Sequence, residues 1–127
     1  MMYRIESFAD DRARRYFDIF PQLSPQQITV SKIPQAGTVN AWHRHKRQTD
    51  WFVVIEGRLE AFILTEDKTL ARYVLEGASP QCLEIKPGLY HGWKSLQDNT
   101  VLVYCLSHKH EEGDEERVSY ETMGVPL

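Results

Sequence analysis

Three histidines stand at spacings that let them converge on one point. His43 and His45 are two residues apart, and His91 follows the Pro87-Gly88 turn in Ile85-Lys86-Pro87-Gly88-Leu89-Tyr90-His91-Gly92-Trp93. Residues i and i+2 of a strand share a face, so His43 and His45 project together. Asp50 comes after a turn and can return to that face. Two chemistries use such a cluster. Three imidazoles and one carboxylate bind a first-row divalent metal, here through His43, His45, Asp50 and His91. Alternatively, a histidine held by a carboxylate acts as a general base with no metal at all.

The elements that position these residues read as strands. Ile28–Ile33 partly alternates and carries β-branched residues, and Trp51–Ile55 is an apolar run too short for a helix. Leu59–Leu64 resumes after Glu56-Gly57-Arg58, which predicts a hairpin with Gly57 at its turn. A polar turn at Thr65–Lys68 precedes Leu70–Leu75, and further strands are expected at Cys82–Ile85 and Val101–Leu106. Turn clusters at Gly77–Pro80, Pro87-Gly88 and Gln97–Asn99 separate them. Many short strands with regular punctuation predict an all-β barrel or sandwich. Asp10–Asp18 reads as one helical turn or an extended arm, and the charged run 109–117 as a solvated tail.

The 127 residues suit one domain, 1–127, with an N-terminal arm at 1–26, a barrel at 27–107 and a charged tail at 108–127. A formal net charge of −3 gives no polyanion-binding signature, so nucleic acid is not an expected partner. Cys82 and Cys105 sit in apolar runs and read as buried free thiols of a reducing compartment. The N-terminal residues lack the apolar core of a secretory signal, and no apolar run approaches the ~20 residues needed to span a bilayer. The expectation is a cytoplasmic protein with no membrane partner.

The run Gly37…His43-x-His45…Asp50…Gly57, with the later Pro-Gly-x-x-His91, resembles the paired motifs of the cupin superfamily, which implies a double-stranded β-helix of jelly-roll type. Asp50 stands where metal-binding cupins carry Glu, and Gly77 lies further upstream of Pro87 than the second motif usually allows. The chain also resembles the dTDP-4-dehydrorhamnose 3,5-epimerase family and its shorter sugar-nucleotide relatives. Phe8-Ala9-Asp10-Asp11-Arg12 looks like that family's N-terminal F-x-D-x-R element, and Gln27–Ser31 with Gly37-Thr38-Val39 like its Q-x-x-x-S … G-x-L stretch. Pro87–Trp93 looks like P-G-F-A-H-G-F, Tyr104 falls on the family's strand tyrosine, and Glu116–Glu121 looks like its closing segment. The shorter relatives carry W-H-x-H-K-x-x-T, present here as Trp42–Thr49.

The resemblance implies proton transfer beside the C4 ketone of a nucleotide-linked sugar, without a cofactor. His43 would be the base, Tyr104 the acid on the opposite face, and Glu121 the carboxylate that orients His43. Arg12, Lys46, Gln48, His91 and Trp93 would bind substrate, with Arg12, Arg14 and Arg15 suited to phosphate oxygens. The chain departs from the family at Asn40, where an arginine is usual, and at Gln48-Thr49-Asp50, where the active-site lysine is usual. An anion there repels an enolate, and Lys46 or Arg47 is the nearest replacement in sequence. Two other readings stay open: a metal cupin with oxygenase or isomerase activity, and a sugar-binding cupin with no catalysis. Trp42, Trp51 and Trp93 flank the histidines, where rings either pack or stack on a ligand. Pairing of edge strands through an N-terminal strand makes a homodimer the expected assembly.

Overall fold

A computed structural model describes residues 1–20, 27–108, 113–119 and 121. Strands β1 (Met2–Arg4), β4 (Gln27–Ile33), β6 (Asp50–Glu56), β9 (Gln81–Ile85) and β11 (Thr100–Leu106) form one sheet in the order β1-β9-β6-β11-β4. Strands β5 (Val39–His45), β7 (Arg58–Leu64), β8 (Leu70–Glu76), β10 (Tyr90–Ser95) and β12 (Glu115–Arg117) form the other, in the order β12-β5-β10-β7-β8. A separate two-stranded ribbon joins β2 (Ser7–Ala9) to β3 (Arg14–Tyr16). Every pairing is antiparallel, which makes a jelly-roll barrel of the cupin type. Among the described residues no helix is long and apolar enough to cross a membrane.

The inward faces divide into an apolar end and a polar end. Ile33, Val54, Leu59, Leu75, Leu83 and Leu102 belong to the apolar core of the barrel, all almost fully buried. Each such aliphatic side chain contributes about 1.5–3 kcal/mol of burial. Toward the other end the same strands turn polar: β4 offers Gln27 and Ser31, β6 Asp50, and β11 Tyr104. The core is therefore a floor, and the site is built on it.

Strand β4 reverses the usual pattern. Gln27, Thr29 and Ser31 face inward, whereas Ile28 and Val30 face outward and are each 57% exposed. Next to them, Trp51, Val53, Cys82 and Cys105 on the same outer face are covered by Tyr3, Ile5, Ile19 and Phe20 from the N-terminal segment. Burial pushes the Cys82 thiol up to about 12 and raises that of Cys105, which leaves both as inert packing groups.

The structure corrects the sequence reading at several places. The expected hairpin at Gly57 does not form: β6 pairs with β9 and β11, β7 with β8 and β10, and the chain turns a corner between sheets. Gly57 takes φ +80°, and a Cβ there would collide with Thr100, so the corner admits only glycine. Asp10–Asp18 forms no helical turn; of the two readings the extended arm holds, folded back as the β2–β3 ribbon. Asp10 Oδ1 accepts the amide N–H groups of Arg12 and Ala13 and so makes the turn between β2 and β3. The charged tail is not all solvated, because Glu115–Arg117 pairs with β5; residues 109–112 of that run lie outside the described residues. Strand β10, carrying His91 and Trp93 between β5 and β7, is an element that sequence reasoning passed over.

Candidate active site

The sequence places His43 and His45 on β5, and backbone contacts bring His91 to them. His91 pairs in register with His43, and the Gly88 amide of the Pro-Gly turn donates to the His45 carbonyl at 2.8 Å. The register slips between His91 and Gly92, so Trp42 becomes the extra residue of a bulge. Its ring packs on Phe62, with centroids 5.7 Å apart. The bulge shifts the inward parity, so that Asn40 and His43, three residues apart, both line the cavity.

Asp50 is the centre of the cluster. Its Oδ1 accepts a hydrogen bond from the Gln48 amide at 2.6 Å, and its Oδ2 lies 3.5 Å from His45 Nε2 and 3.2 Å from His91 Nε2. Burial opposes its charge, but the two imidazoles and Gln48 outweigh that and hold the carboxyl far below the usual range. Burial likewise works against a charged His45, yet Asp50, with Glu115 and Asp114, raises its pKa. Asp114 Oδ2 lies 3.9 Å from His45 Nδ1, so this ring stands between two carboxylates. His91 Nδ1 donates to the Leu89 carbonyl at 3.0 Å, which turns Nε2 toward Asp50. The 3.2 Å separation is an ion-pair distance without hydrogen-bond alignment, and His91 Nε2 has no hydrogen-bond partner among the described residues.

His43 differs from both. Burial first, then the neighbouring His91, lowers its pKa to about 3, with Asp50 pulling the other way. The ring is therefore unprotonated at neutral pH and able to accept a proton. A base of such low proton affinity asks for strong stabilisation of the anion it creates.

The cavity above these groups has a volume of about 210 Å³. Its walls include His43, His45, Gln48, Asp50 and Trp93 of the sequence-predicted set, together with Tyr104. His43 stands on β5 of one sheet and Tyr104 on β11 of the other, so they occupy facing walls. Phe52 fixes the Tyr104 ring edge-on, with centroids 6.0 Å apart. His91 is buried behind Asp50. The remaining sequence-predicted residues lie elsewhere. Lys46 and Arg47 are exposed on the β5–β6 turn, where their amides bond to the Asp114 carbonyl and carboxylate; Arg12 is exposed on the β2–β3 ribbon, paired to Asp10 at 2.9 Å. Glu121 is exposed beyond β12; the carboxylates within 4 Å of these three imidazoles are, among the described residues, Asp50 and Asp114.

Sequence reasoning noted Gln27, Ser31 and Asn40 as family positions without assigning them to the site, and missed Glu115 and Arg117; all five line the cavity. The alternation in Gln27–Ile33 carried a signal, because its polar positions share one face. So did Glu115-x-Arg117, whose spacing aims both side chains the same way once the tail is a strand.

The opposed shifts set a stability maximum. His43 is lowered from its unfolded 6.5 to about 3, so the unfolded chain binds the extra proton between those values and stability falls as pH drops through that window. The slope from this group reaches about 1.4 kcal/mol per pH unit. Below the ordinary carboxylate range the loss of Asp50's charge adds to it. His45, raised, contributes fully below 6.5 and loses its contribution as pH rises through its folded value. Urea denaturation from pH 4 to 9 should give greatest stability near pH 6.5, with the acid limb above pH 4 flattened in His43→Gln. An unchanged limb in that variant contradicts the assignment.

No family model matches the chain, and no curated protein matches it. Solved structures do. A dTDP sugar isomerase from Desulfovibrio desulfuricans G20 superposes with a TM-score of 0.84 at 23% identity, over 100% of this chain and 88% of that one. ChmJ, a 3'-monoepimerase from Streptomyces bikiniensis solved with dTDP-quinovose, gives 0.86 at 16% identity, over 98% and 72%. QdtA, a sugar 3,4-ketoisomerase from Thermoanaerobacterium thermosaccharolyticum solved with TDP, gives 0.80 at 15%, over 96% and 89%. At these identities the likeness establishes architecture, and the chain has the cupin fold of sugar-nucleotide epimerases and isomerases.

Proposed function

We propose that this protein is an epimerase or isomerase acting on a nucleotide-linked 4-keto-6-deoxy sugar. The observation that carries the reading is the placement of His43 and Tyr104 on facing walls of one small cavity. A neutral imidazole on one side of a ketone takes the α-proton, and a phenol on the other returns one to the opposite face, which inverts the carbon. The fold shared with dTDP-sugar epimerases and isomerases supports the same substrate class. The cavity is smaller than the roughly 300–1,000 Å³ that encloses a whole ligand. It therefore takes the sugar ring, with Gln48, Trp93 and the His91–Asp50 pair as its surround, and leaves the nucleotide at the mouth. Incubation with dTDP-4-keto-6-deoxyglucose in deuterated water should place deuterium at C3 or C5. His43→Asn should lower that exchange by roughly 10²–10⁴-fold. Tyr104→Phe should keep exchange on the His43 side while losing inverted product. No exchange with folded wild-type protein removes the reading.

One observation favours a second reading, a metal-dependent cupin. His45, Asp50 and His91 offer ligand atoms within 4.8 Å of one another, and His43 lies outside that group. The unpartnered His91 Nε2 fits a divalent ion, since its Nδ1–H is anchored on a carbonyl as ligand imidazoles usually are. These three residues would hold the ion, which would polarise a substrate oxygen. Elemental analysis of untagged protein decides: near-stoichiometric first-row metal favours this reading, and a trace removes it.

We also infer a cytoplasmic homodimer joined through the outer face of the β4 sheet. Ile28 and Val30, with Ile55 at 49% exposed, leave an apolar strip there that a second copy would cover. Exposed Phe8, on the β2–β3 ribbon, and Phe17, just beyond it, add to the apolar surface. The buried free thiols suit a reducing compartment. Light scattering should give twice the chain mass, and the Ile28→Glu, Val30→Glu double variant a monomer. A wild-type monomer at micromolar concentration overturns this.

A further inference from the structure

Among the described residues lining the cavity there are two carboxylates, Asp50 and Glu115, but only one Lys or Arg side chain, Arg117. Removing a proton beside a ketone moves charge onto the carbonyl oxygen; β5 and β6 bring no Lys or Arg side chain to the cavity, and the imidazole of His45 is already engaged with Asp50. Lys46 and Arg47, which follow His45 in sequence, bond through their backbone amides to Asp114 and do not line the cavity. Arg117 arrives by a different route. β12 lies antiparallel on β5 with Arg117 directly in register with His43, and reciprocal bonds between Trp42 and Val118, both 2.9 Å, hold the strand in place. Arg117 Nη2 reaches Glu115 Oε1 at 3.2 Å. The Arg117 side chain is 72% exposed at the cavity mouth, and a guanidinium has five N–H donors, so this surface contact leaves donors for a ligand.

We propose that Arg117 is the catalytic cation of this site, the group that holds the enolate oxygen while the α-carbon is planar; this rests on the epimerase reading above. His43 takes the α-proton, the C–H electron pair forms the C=C bond, and the carbonyl π pair becomes the oxygen lone pair facing Arg117. Tyr104 then gives its proton to the opposite face of the carbon and the C=O bond re-forms. The phenolate regains a proton from water and the imidazolium releases one, so no oxidant or reductant enters. The tail strand thus carries a function that the β5–β6 turn does not.

The test compares wild type, Arg117→Gln and Arg117→Lys for deuterium uptake into dTDP-4-keto-6-deoxyglucose, with thermal melts alongside. Arg117→Gln should lose roughly 100-fold in rate at an unchanged melting temperature, and Arg117→Lys should recover part of that loss. If Arg117→Gln melts early, ethylguanidinium added to Arg117→Ala decides, because restored exchange requires a chemical role and its absence overturns one. Wild-type exchange with Arg117→Gln equally active overturns the inference and leaves the epimerase reading standing. A wild-type protein with no exchange overturns both.

Discussion

The burial of Asp50 is the constraint on which the rest of this site depends. An ionised carboxylate taken out of water without partners costs several kcal/mol, so the fold must bring donors to it from whatever strands are near. Gln48 from the preceding turn donates to it, and the imidazoles of His45 from β5 and His91 from β10 are set within 3.5 Å of its Oδ2. Those three partners lie on separate stretches of chain, and holding them together fixes how β5, β6 and β10 meet at the mouth. Asp114 extends the network to the tail, since it faces His45 and receives the Arg47 amide. The tail strand is thereby anchored at its start, and Arg117 is carried over the cavity.

The chemistry then follows from which wall each residue occupies. A jelly roll joins two sheets across one core, and this core is apolar at one end only. Where it turns polar, the two sheets set His43, from β5, and Tyr104, from β11, on facing walls, and the proposed proton transfer rests on that placement. Asp50 and the imidazoles of His45 and His91 form a cluster beside them. The departures from the epimerase pattern noted in the sequence gain a physical sense here. An acid at position 50 is tolerable because Gln48 donates to it and His45 lies against it, and under the proposal above Arg117 of the tail stands in for the missing lysine.

Much of this was legible in the residues themselves. The strand runs 28–33, 51–55, 59–64, 70–75 and 101–106 all lie within observed strands, because β-branched alternation and Pro/Gly punctuation are local signals. The convergence of His43, His45, Asp50 and His91 on one mouth was readable from i, i+2 spacing and from the Pro-Gly turn. Pairing partners were not. Gly57 sits between two apolar runs as a hairpin glycine would, and only the collision with Thr100 shows why the chain leaves the sheet there. Glu115 and Arg117 lie in a segment whose charge density reads as solvated, and what makes it a strand is the open edge of β5, a long-range fact. The bulge at Trp42, which admits Asn40 to the cavity, depends equally on the facing strand.

A crystal structure with a dTDP-linked 6-deoxyhexose that lacks the ketone tests the central claim most directly, because the unreactive sugar reports the binding pose. The account predicts the sugar ring inside the cavity, with C3 or C5 between the His43 imidazole and the Tyr104 hydroxyl at about 3–3.5 Å. Its C4 oxygen should face Arg117. A ring lying outside the cavity, or one that meets His43 and Tyr104 on the same face, contradicts it.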